Sequence, residues 1–532
     1  MKYIIITGGV ISGLGKGITA SSIGLLLKSQ GYCVTAIKID PYLNIDAGTM
    51  SPYEHGECYV LKDGSEVDLD MGNYERFLGT EFTKFHNITT GKIYNSVLTK
   101  ERRGAYLGKT VQVVPHVTDE IKEQITKASN ILIDGKLPDI CIIELGGTVG
   151  DIELSPFLEA IRQMNALNED KLCFVHVSLI IDCGEYKTKP TQHSLEKLRE
   201  LGIFPNILVI RTGTNEYLEK DFINKLSIMS GIKYENIIQN INVPNIYFVP
   251  SLFKNQGLIS RISDFIELEP LEYELSTYNK IIEYFSTSHP TIKIAIAGKY
   301  TGKPDTYLSI IRSLEQAAII NNVFLEICWI NTKQLNNTNE LIEYDGFIIP
   351  GGFGSSGING KLLVAQYCRN KKIPLLGICL GFQIMVIDCY TSLGKIGSSS
   401  EFDTNVANKI IDILPNQNDI LGGTMRLGNY ETTLVDNSQI IKLYGNKQIV
   451  ERHRHRYEVN NDYIGDIEES GLRFTGYSTL DDGNKLAEIL ELPQHPFYIG
   501  CQFHPEFKTR YNMVHPLFDG LIMSSIENKK FN

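Results

Sequence analysis

Pro374-Leu-Leu-Gly-Ile-Cys-Leu-Gly381 is an apolar run that closes on Gly-Ile-Cys-Leu-Gly. This is the pattern of a buried strand turning sharply into a helix, with Cys379 at the turn between two glycines. The small flanking residues let the backbone reverse direction. Backbone N–H groups just beyond Cys379 can then face a developing oxyanion. A buried cysteine is by itself an ordinary core residue. A second segment, Gln502-Phe-His-Pro-Glu506, makes Cys379 more than that. It offers His504 as a base and Glu506 as the carboxylate that orients it, completing a nucleophile–base–orienter set.

Read outward, the strand–turn–helix unit repeats. Short apolar runs at 3–7, 33–39, 140–145, 174–181, 207–210 and 246–249 alternate with amphipathic stretches, and several are apolar on both faces, as central parallel strands are. A charged, tyrosine-rich stretch follows and ends at His289-Pro290. A second series begins with Lys293-Ile-Ala-Ile-Ala-Gly298 and continues through 324–330, 346–350 and 373–378. The expectation is two doubly wound α/β domains, 1–265 and 291–532, joined by a helical linker over 266–290.

The first strand leads into Gly8-Gly-Val-Ile-Ser-Gly-Leu-Gly-Lys-Gly17 and then a helical stretch. Strand, glycine-rich loop, lysine and helix are the parts of a phosphate-binding P-loop. The strict Walker pattern would place Gly at Val10 and Ser or Thr at Gly17, so a tight turn without ligand remains an alternative at this point. Asp70 ends Val67-Asp-Leu-Asp70, and Glu144 closes the buried run 140–145 just before a glycine-rich loop. A carboxylate at a strand's C-terminal end beside a P-loop suits a magnesium ion on nucleotide phosphates. Lys187 and Lys189 flank one residue in a proline-stiffened segment suited to a triphosphate, although the two lysines alone also read as a solvated basic loop.

The chain has 532 residues, enough for two to four domains with sizeable cores. Its formal net charge of -11 argues against a nucleic-acid binder that works through a basic surface. No apolar run is long enough for a membrane helix, and the short N-terminal one reads as a first strand rather than a signal peptide. The ten cysteines show no paired metal-ligand spacing, as expected of reduced thiols in a cytoplasmic protein.

Cys379 with His504 and Glu506 resembles the class I glutamine amidotransferases, which hydrolyse glutamine and pass ammonia to a second site. Phe347-Ile-Ile-Pro-Gly-Gly-Phe-Gly354 looks like that family's oxyanion strand and loop. Over nearly the whole chain the match is more specific. Gly8 to Gly17, Lys38-Ile-Asp-Pro-Tyr42, Gly48-Thr-Met-Ser-Pro-Tyr-Glu-His-Gly-Glu57, Lys100-Glu-Arg-Arg-Gly104, Glu144-Leu-Gly-Gly-Thr-Val-Gly-Asp-Ile-Glu153, Lys187-Thr-Lys-Pro-Thr-Gln-His193 and Glu451-Arg-His-Arg-His-Arg-Tyr-Glu458 resemble the CTP synthases.

The resemblance implies a P-loop NTPase-like amidoligase domain of the dethiobiotin-synthetase kind, followed by a flavodoxin-like class I glutamine amidotransferase domain. It implies an ATP-dependent ligase that aminates UTP to CTP with ammonia from glutamine, in a cytoplasmic homotetramer inhibited by CTP and activated by GTP. By the same resemblance Gly13, Leu14, Gly15, Lys16, Gly17, Ile18 and Asp70 hold ATP, and Asp70 with Glu144 holds Mg2+. Ser12, Asp151, Ile152, Glu153, Lys187, Thr188, Lys189, Pro190, Thr191, Gln192 and Lys225 line the UTP and CTP site. Gly352, Leu380, Gly381, Phe382, Gln383, Glu401 and Arg456 contact glutamine. Pro52, His55 and Cys58 match the ammonia passage gate, where the family usually has valine in place of Cys58.

One departure concerns GTP. The stretch 402–425 is shorter than in many members and contains no arginine, its only base being Lys409. Weaker GTP activation is the expectation, because arginine holds phosphates in a bidentate way that lysine does not. A cobyric- or cobyrinic-acid amidating enzyme shares the domain plan, but Lys187 to His193 and Arg452 to Arg456 argue against it. A non-catalytic filament subunit is disfavoured by the intact Cys379, His504, Glu506, Lys16, Asp70 and Glu144.

Overall fold

This computed structural model describes residues 1–166, 172–269, 271–414, 425–480 and 483–531. The chain forms two compact units. One takes Met1–Asp46 and Asn73–Ile282, the other Ala47–Gly72 and Glu283–Asn532.

The first unit is built on seven strands: β1 (Lys2–Gly8), β2 (Val34–Asp40), β3 (Asn87–Thr89), β4 (Ile140–Leu145), β5 (Leu172–Leu179), β6 (Ile207–Arg211) and β7 (Ile237–Asn240). They lie in the order β7-β6-β5-β1-β4-β2-β3, and every pairing is parallel. β2 and β4 are buried along their whole length, which is why their sequences are apolar without alternation. The strand order reverses beside β1, so its C-terminal end opens onto the crevice where doubly wound sheets take ligands.

The second unit centres on a nine-stranded sheet: β8 (Thr291–Gly298), β9 (Phe324–Asn331), β10 (Gly346–Ile349), β11 (Leu375–Ile378), β12 (Arg426–Leu434), β13 (Gln448–His455), β14 (Arg473–Thr479), β15 (Lys485–Glu491) and β16 (Tyr498–Cys501). The order is β9-β8-β10-β11-β16-β15-β14-β12-β13. The five strands from β9 to β16 pair in parallel, and the remaining four extend the sheet antiparallel. The sequence reading anticipated the parallel half and not this extension. β11 lies between β10 and β16, so the turn after it emerges from the middle of the parallel half.

Two readings of the sequence, at 246–249 and at 47–72, differ from the structure. The run 246–249 is not a strand: Ile246–Phe248 is a 3-10 turn and Val249–Asn255 a helix. Asn245 caps the first by accepting the Tyr247 N–H at 3.0 Å, and Pro250 sits in the first turn of the second, both helix-start signals. The stretch 266–290 carries the helix Ser276–Tyr284, and the Tyr284 hydroxyl donates to the Val323 carbonyl at 2.7 Å, so its end is anchored in the second unit. Ala47–Gly72 belongs to the second unit although the sequence places it within 1–265. Glu57 accepts the Ser309 N–H at 2.9 Å, Arg454 pairs with Glu66 at 2.8 Å, and Arg452 donates to the Val60 carbonyl at 3.1 Å.

Candidate functional site

In the second unit the turn after β11 places Cys379 at φ 53° and ψ −101°, immediately before helix α5 (Leu380–Ser392); we number the helices used below α1 to α5 in chain order. A non-glycine residue at positive φ carries strain. It is held there because the Cys379 N–H donates to the Cys501 carbonyl at 2.7 Å and its carbonyl accepts the Gln383 N–H at 3.2 Å. Gly381 is required by close approach, since a Cβ there would stand 2.0 Å from the Ile349 carbonyl oxygen.

His504 follows β16 and donates from Nδ1 to Glu506 Oε1 at 2.7 Å. Its ring stacks on Phe507 with centroids 5.1 Å apart. Burial disfavours charge on His504, but the Glu506 carboxylate and Cys379 outweigh it and push the imidazole up to about 10. Nε2 has no fixed hydrogen-bond partner among the described residues. Gln502 Nε2 donates to Cys379 Sγ at 3.7 Å, and the thiol approaches the Arg454 carbonyl at 3.6 Å. The strip 350–354 after β10 closes the other side. A Cβ on Gly351 would stand 2.8 Å from His504 Cε1 and 3.5 Å from Cys379 Cβ, so only glycine lets this backbone approach the pair.

These groups line a cavity of about 430 Å³, together with Glu57, Cys58, Tyr300, Glu401, Arg454 and Arg456. That is room for a small polar substrate. Glu401 spans the cavity to the strip, accepting the Gly354 N–H at 2.7 Å, and burial raises its carboxyl above the usual range. Behind the site His453, His455, Glu458 and Glu488 form a buried cluster around Arg426, which lies 3.3 Å from Glu458 and also bonds Glu488. Burial and then Arg426 hold both imidazoles well below their ordinary value, while the same guanidinium pairs with the buried carboxylates of Glu458 and Glu488.

The first unit presents a different chemistry. The loop from Gly8 to helix α1 (Lys16–Ser29) contains Gly13 at φ 72° and Gly15 at φ 89°. Val10 adopts φ 83°, so the position where the Walker pattern has glycine takes a glycine-like conformation. Lys16 is buried and donates to the Gly147 carbonyl at 2.7 Å. Glu144, at the C-terminal end of β4, is 1% exposed and pairs with Lys38 at 2.8 Å; Tyr74 also donates to it. Asp70, which falls in the stretch Ala47–Gly72 of the second unit, lies in the first turn of helix α2 (Leu69–Leu78), its N–H bonded to Asp68 at 3.0 Å. A buried carboxylate at a strand end is the hard oxygen donor that magnesium takes.

The family description "CTP synthase N-terminus" matches residues 2–268, and "Glutamine amidotransferase class-I" matches 304–524. A CTP synthase of Methanosarcina barkeri is 47% identical over 541 aligned positions, covering 100% of this chain and 99% of the relative. The chain belongs to the CTP synthase family. A Pyrococcus furiosus CTP synthase is 47% identical, covering 99% of this chain and 98% of its own. A Prochlorococcus marinus CTP synthase is 45% identical, covering 99% of both. Among solved structures, the glutaminase domain of Trypanosoma brucei CTPS with bound acivicin is 31% identical, covers 44% of this chain and 94% of its own, and has a TM-score of 0.42.

In this chain the expected glutamine residues divide. Gly352, Glu401 and Arg456 line the cavity with Cys379 and His504. Phe382 and Gln383 are buried in α5, and the Gln383 amide donates to the Tyr457 carbonyl at 3.1 Å and to Gln502 at 3.2 Å. Gln383 therefore braces the turn from behind, with its side-chain amide and with its backbone N–H on the Cys379 carbonyl. In the first unit Ser12, Asp151, Ile152, Glu153, Lys187, Lys189 and Lys225 are exposed. Asp151 accepts the Thr148 N–H at 2.9 Å, and Ile152 is 85% exposed with no local packing that explains it. Thr188 precedes helix α3 (Lys189–Glu200), where Pro190 stands in the first turn; Gln192 donates to Thr188 at 2.8 Å, and Thr191 is buried against Ser178 at 2.9 Å. Of the passage residues, Pro52 and Cys58 line the cavity, while His55 is exposed at the end of the short helix Pro52–His55. Residues 415–424 of the shortened stretch lie outside the described residues. Sequence reasoning missed Glu57, Tyr300, Arg454, Lys299 and Lys361. Glu57 and Arg454 stood in runs already singled out.

Proposed function

We propose that this chain converts UTP, ATP and glutamine to CTP, ADP, phosphate and glutamate. The observation that carries the reading is the presence, in one chain of the CTP synthase family, of a strained Cys379 facing His504–Glu506 in a cavity and a P-loop with Lys16 at the end of a parallel sheet.

In the glutaminase half, Cys379 attacks the side-chain amide of glutamine. His504 takes the thiol proton through Nε2 and delivers it to the leaving nitrogen, and Glu506 holds the imidazole by Nδ1. The N–H groups around Gly352 and Leu380 receive the oxyanion. Water then attacks the thioester, activated by the same imidazole, and glutamate leaves. Glu401 and Arg456 supply opposite charges for the amino and carboxylate groups of glutamine. Ammonia leaves the cavity past Pro52 and Cys58.

In the synthase half, the loop Ser12 to Ile18 and Asp70 bind ATP. The segments 151–153 and 187–192 with Lys225 bind UTP, and CTP as product inhibitor competes there. O4 of UTP takes the γ-phosphoryl group with release of ADP, ammonia adds at C4, and phosphate leaves. Lys16 and Lys38 offset the charge on the transferring group. Glu144 and Asp70 would hold Mg2+, which when bound neutralises phosphate charge. We extend the proposal to a cytoplasmic homotetramer with GTP as activator of glutamine use. No helix among the described residues is long and apolar enough to cross a membrane.

The experiment is direct. CTP formation from UTP and ATP is followed with glutamine and, separately, with an ammonium salt. Formation with both supports the reading; no CTP with either source rejects it.

A further inference from the structure

Two of the three side chains that hold the strip 350–354 have no part in the reaction described above. Lys361 projects from helix α4 (Ile358–Lys371), is 1% exposed, and donates from Nζ to the Pro350 carbonyl at 3.3 Å. Lys299, just past the end of β8, is buried and donates to the Phe353 carbonyl. Glu401 accepts the next N–H, that of Gly354. Three peptide groups are thus fixed from three separate parts of the fold. Between them lie Gly351 and Gly352. The Cβ direction of Gly352 points at Lys299 Cε and Lys361 Nζ, each 3.8 Å away. Consecutive glycines are the most mobile backbone a chain can have, and oxyanion donors work only when held near the productive geometry.

An amine is a costly core residue. Burial, then Lys299, pushes Lys361 down to about 7, while Cys379 and Glu401 act in the opposite direction. Methionine would fill the same volume without that cost. The cost falls beside a backbone strip that approaches both Cys379 and His504, which points to a task for the amine.

We infer that Lys361 and Lys299 are positioning residues for glutamine hydrolysis, pinning the 350–354 strip so that its N–H groups face the oxyanion formed on Cys379. This rests on the glutaminase reading of Cys379 and deepens it. Neither lysine need touch glutamine. Their effect falls on the transition state, whose oxygen carries the charge, more than on binding.

The test is steady-state glutamine hydrolysis by full-length Lys361→Met. The kcat should fall about 10- to 100-fold, less than the ~10²–10³ for deleting a donor outright, with KM within about three-fold of wild type. Iodoacetamide should still label Cys379, mapped by mass. The thermal midpoint at neutral pH should equal or exceed wild type, because a lysine held below its ordinary value costs stability at every pH under that value. Lys299→Met should show the same split through Phe353. An unchanged kcat, or a raised KM at unchanged kcat, would overturn the inference. If Lys361→Met fails to fold, Lys299→Met decides by the same criterion. A wild-type chain that hydrolyses no glutamine would instead reject the reading beneath.

Discussion

Gly351→Ala is the most economical probe of the glutaminase geometry, since it adds one methyl group. That methyl would stand 2.8 Å from His504 Cε1, 3.5 Å from Cys379 Cβ and 3.6 Å from His504 Nε2. Carbon atoms settle at about 3.5–4.0 Å, so ring and strip must separate by roughly 1 Å. The ring has little freedom to yield. Nδ1 is tied to Glu506 at 2.7 Å, the His504 N–H is bonded to the Arg452 carbonyl at 2.7 Å, and Phe507 lies against its face. Retreat by 1 Å would stretch the Glu506 bond beyond useful length. If the strip moves instead, Gly352 leaves the oxyanion by a similar distance. Either way a misplacement of about 1 Å costs on the order of 10²-fold, or about 2.7 kcal/mol of activation free energy. The assay compares kcat/KM for glutamine hydrolysis with ammonia-dependent CTP formation in the same preparation. The first should drop about 100-fold while the second stays near wild type. Glutamine hydrolysis within about three-fold of wild type would refute the argument that this backbone must touch the Cys379–His504 pair.

Cys379→Ala should lose several orders of magnitude of glutamine-dependent synthesis while ammonia-dependent synthesis persists, because ammonium bypasses the thiol; good use of glutamine by the variant would displace the nucleophile. Glu144→Gln should abolish CTP formation from either nitrogen source yet leave glutamine hydrolysis measurable, since it removes a buried negative charge and deprives Lys38 of its 2.8 Å partner; full ammonia-dependent synthesis would place the metal elsewhere. The GTP response should be weaker than the family norm, given the arginine-free stretch 402–425; strong activation at low micromolar GTP in the glutamine-dependent assay would sink that expectation.

What the sequence made legible was local. The turn at Cys379 could be read because strand, glycines and helix are contiguous. The His504–Glu506 contact could be read because only Pro505 separates them and fixes the step. The P-loop could be read despite its imperfect pattern, and Val10 at φ 83° explains the imperfection: the backbone shape is kept with a non-glycine residue. What stayed hidden was long-range. Glu57 meets Ser309 and Glu66 meets Arg454 across hundreds of residues, and no periodicity marks Ala47–Gly72 as part of the second unit. Lys299 and Lys361 were invisible because a lone lysine in sequence reads as a solvated charge. Gln383 misled in the opposite sense, being polar, one turn past the nucleophile, and committed to the protein interior. The 246–249 run misled because four apolar residues fit strand and helix equally, and the capping Asn245 was given no weight.

The two kinds of information meet at Cys379. Its backbone, at φ 53° and ψ −101°, stores on the order of 1–3 kcal/mol that local sequence alone would release by flattening the turn. Release is blocked by the hydrogen bonds to Cys501 and Gln383, by β10 and β16 on either side of β11, and by Gly381 pressed against Ile349. Every one of these is a packing contact of the sheet and of α5. The buried floor of Arg426, His453, His455, Glu458 and Glu488 adds a rigid polar layer behind the site, with its histidines kept neutral. The chemistry proposed at Cys379 therefore depends on groups outside the glutamine-contacting set. Substitutions in this supporting layer should lower kcat before they alter KM, because what they loosen is alignment rather than affinity.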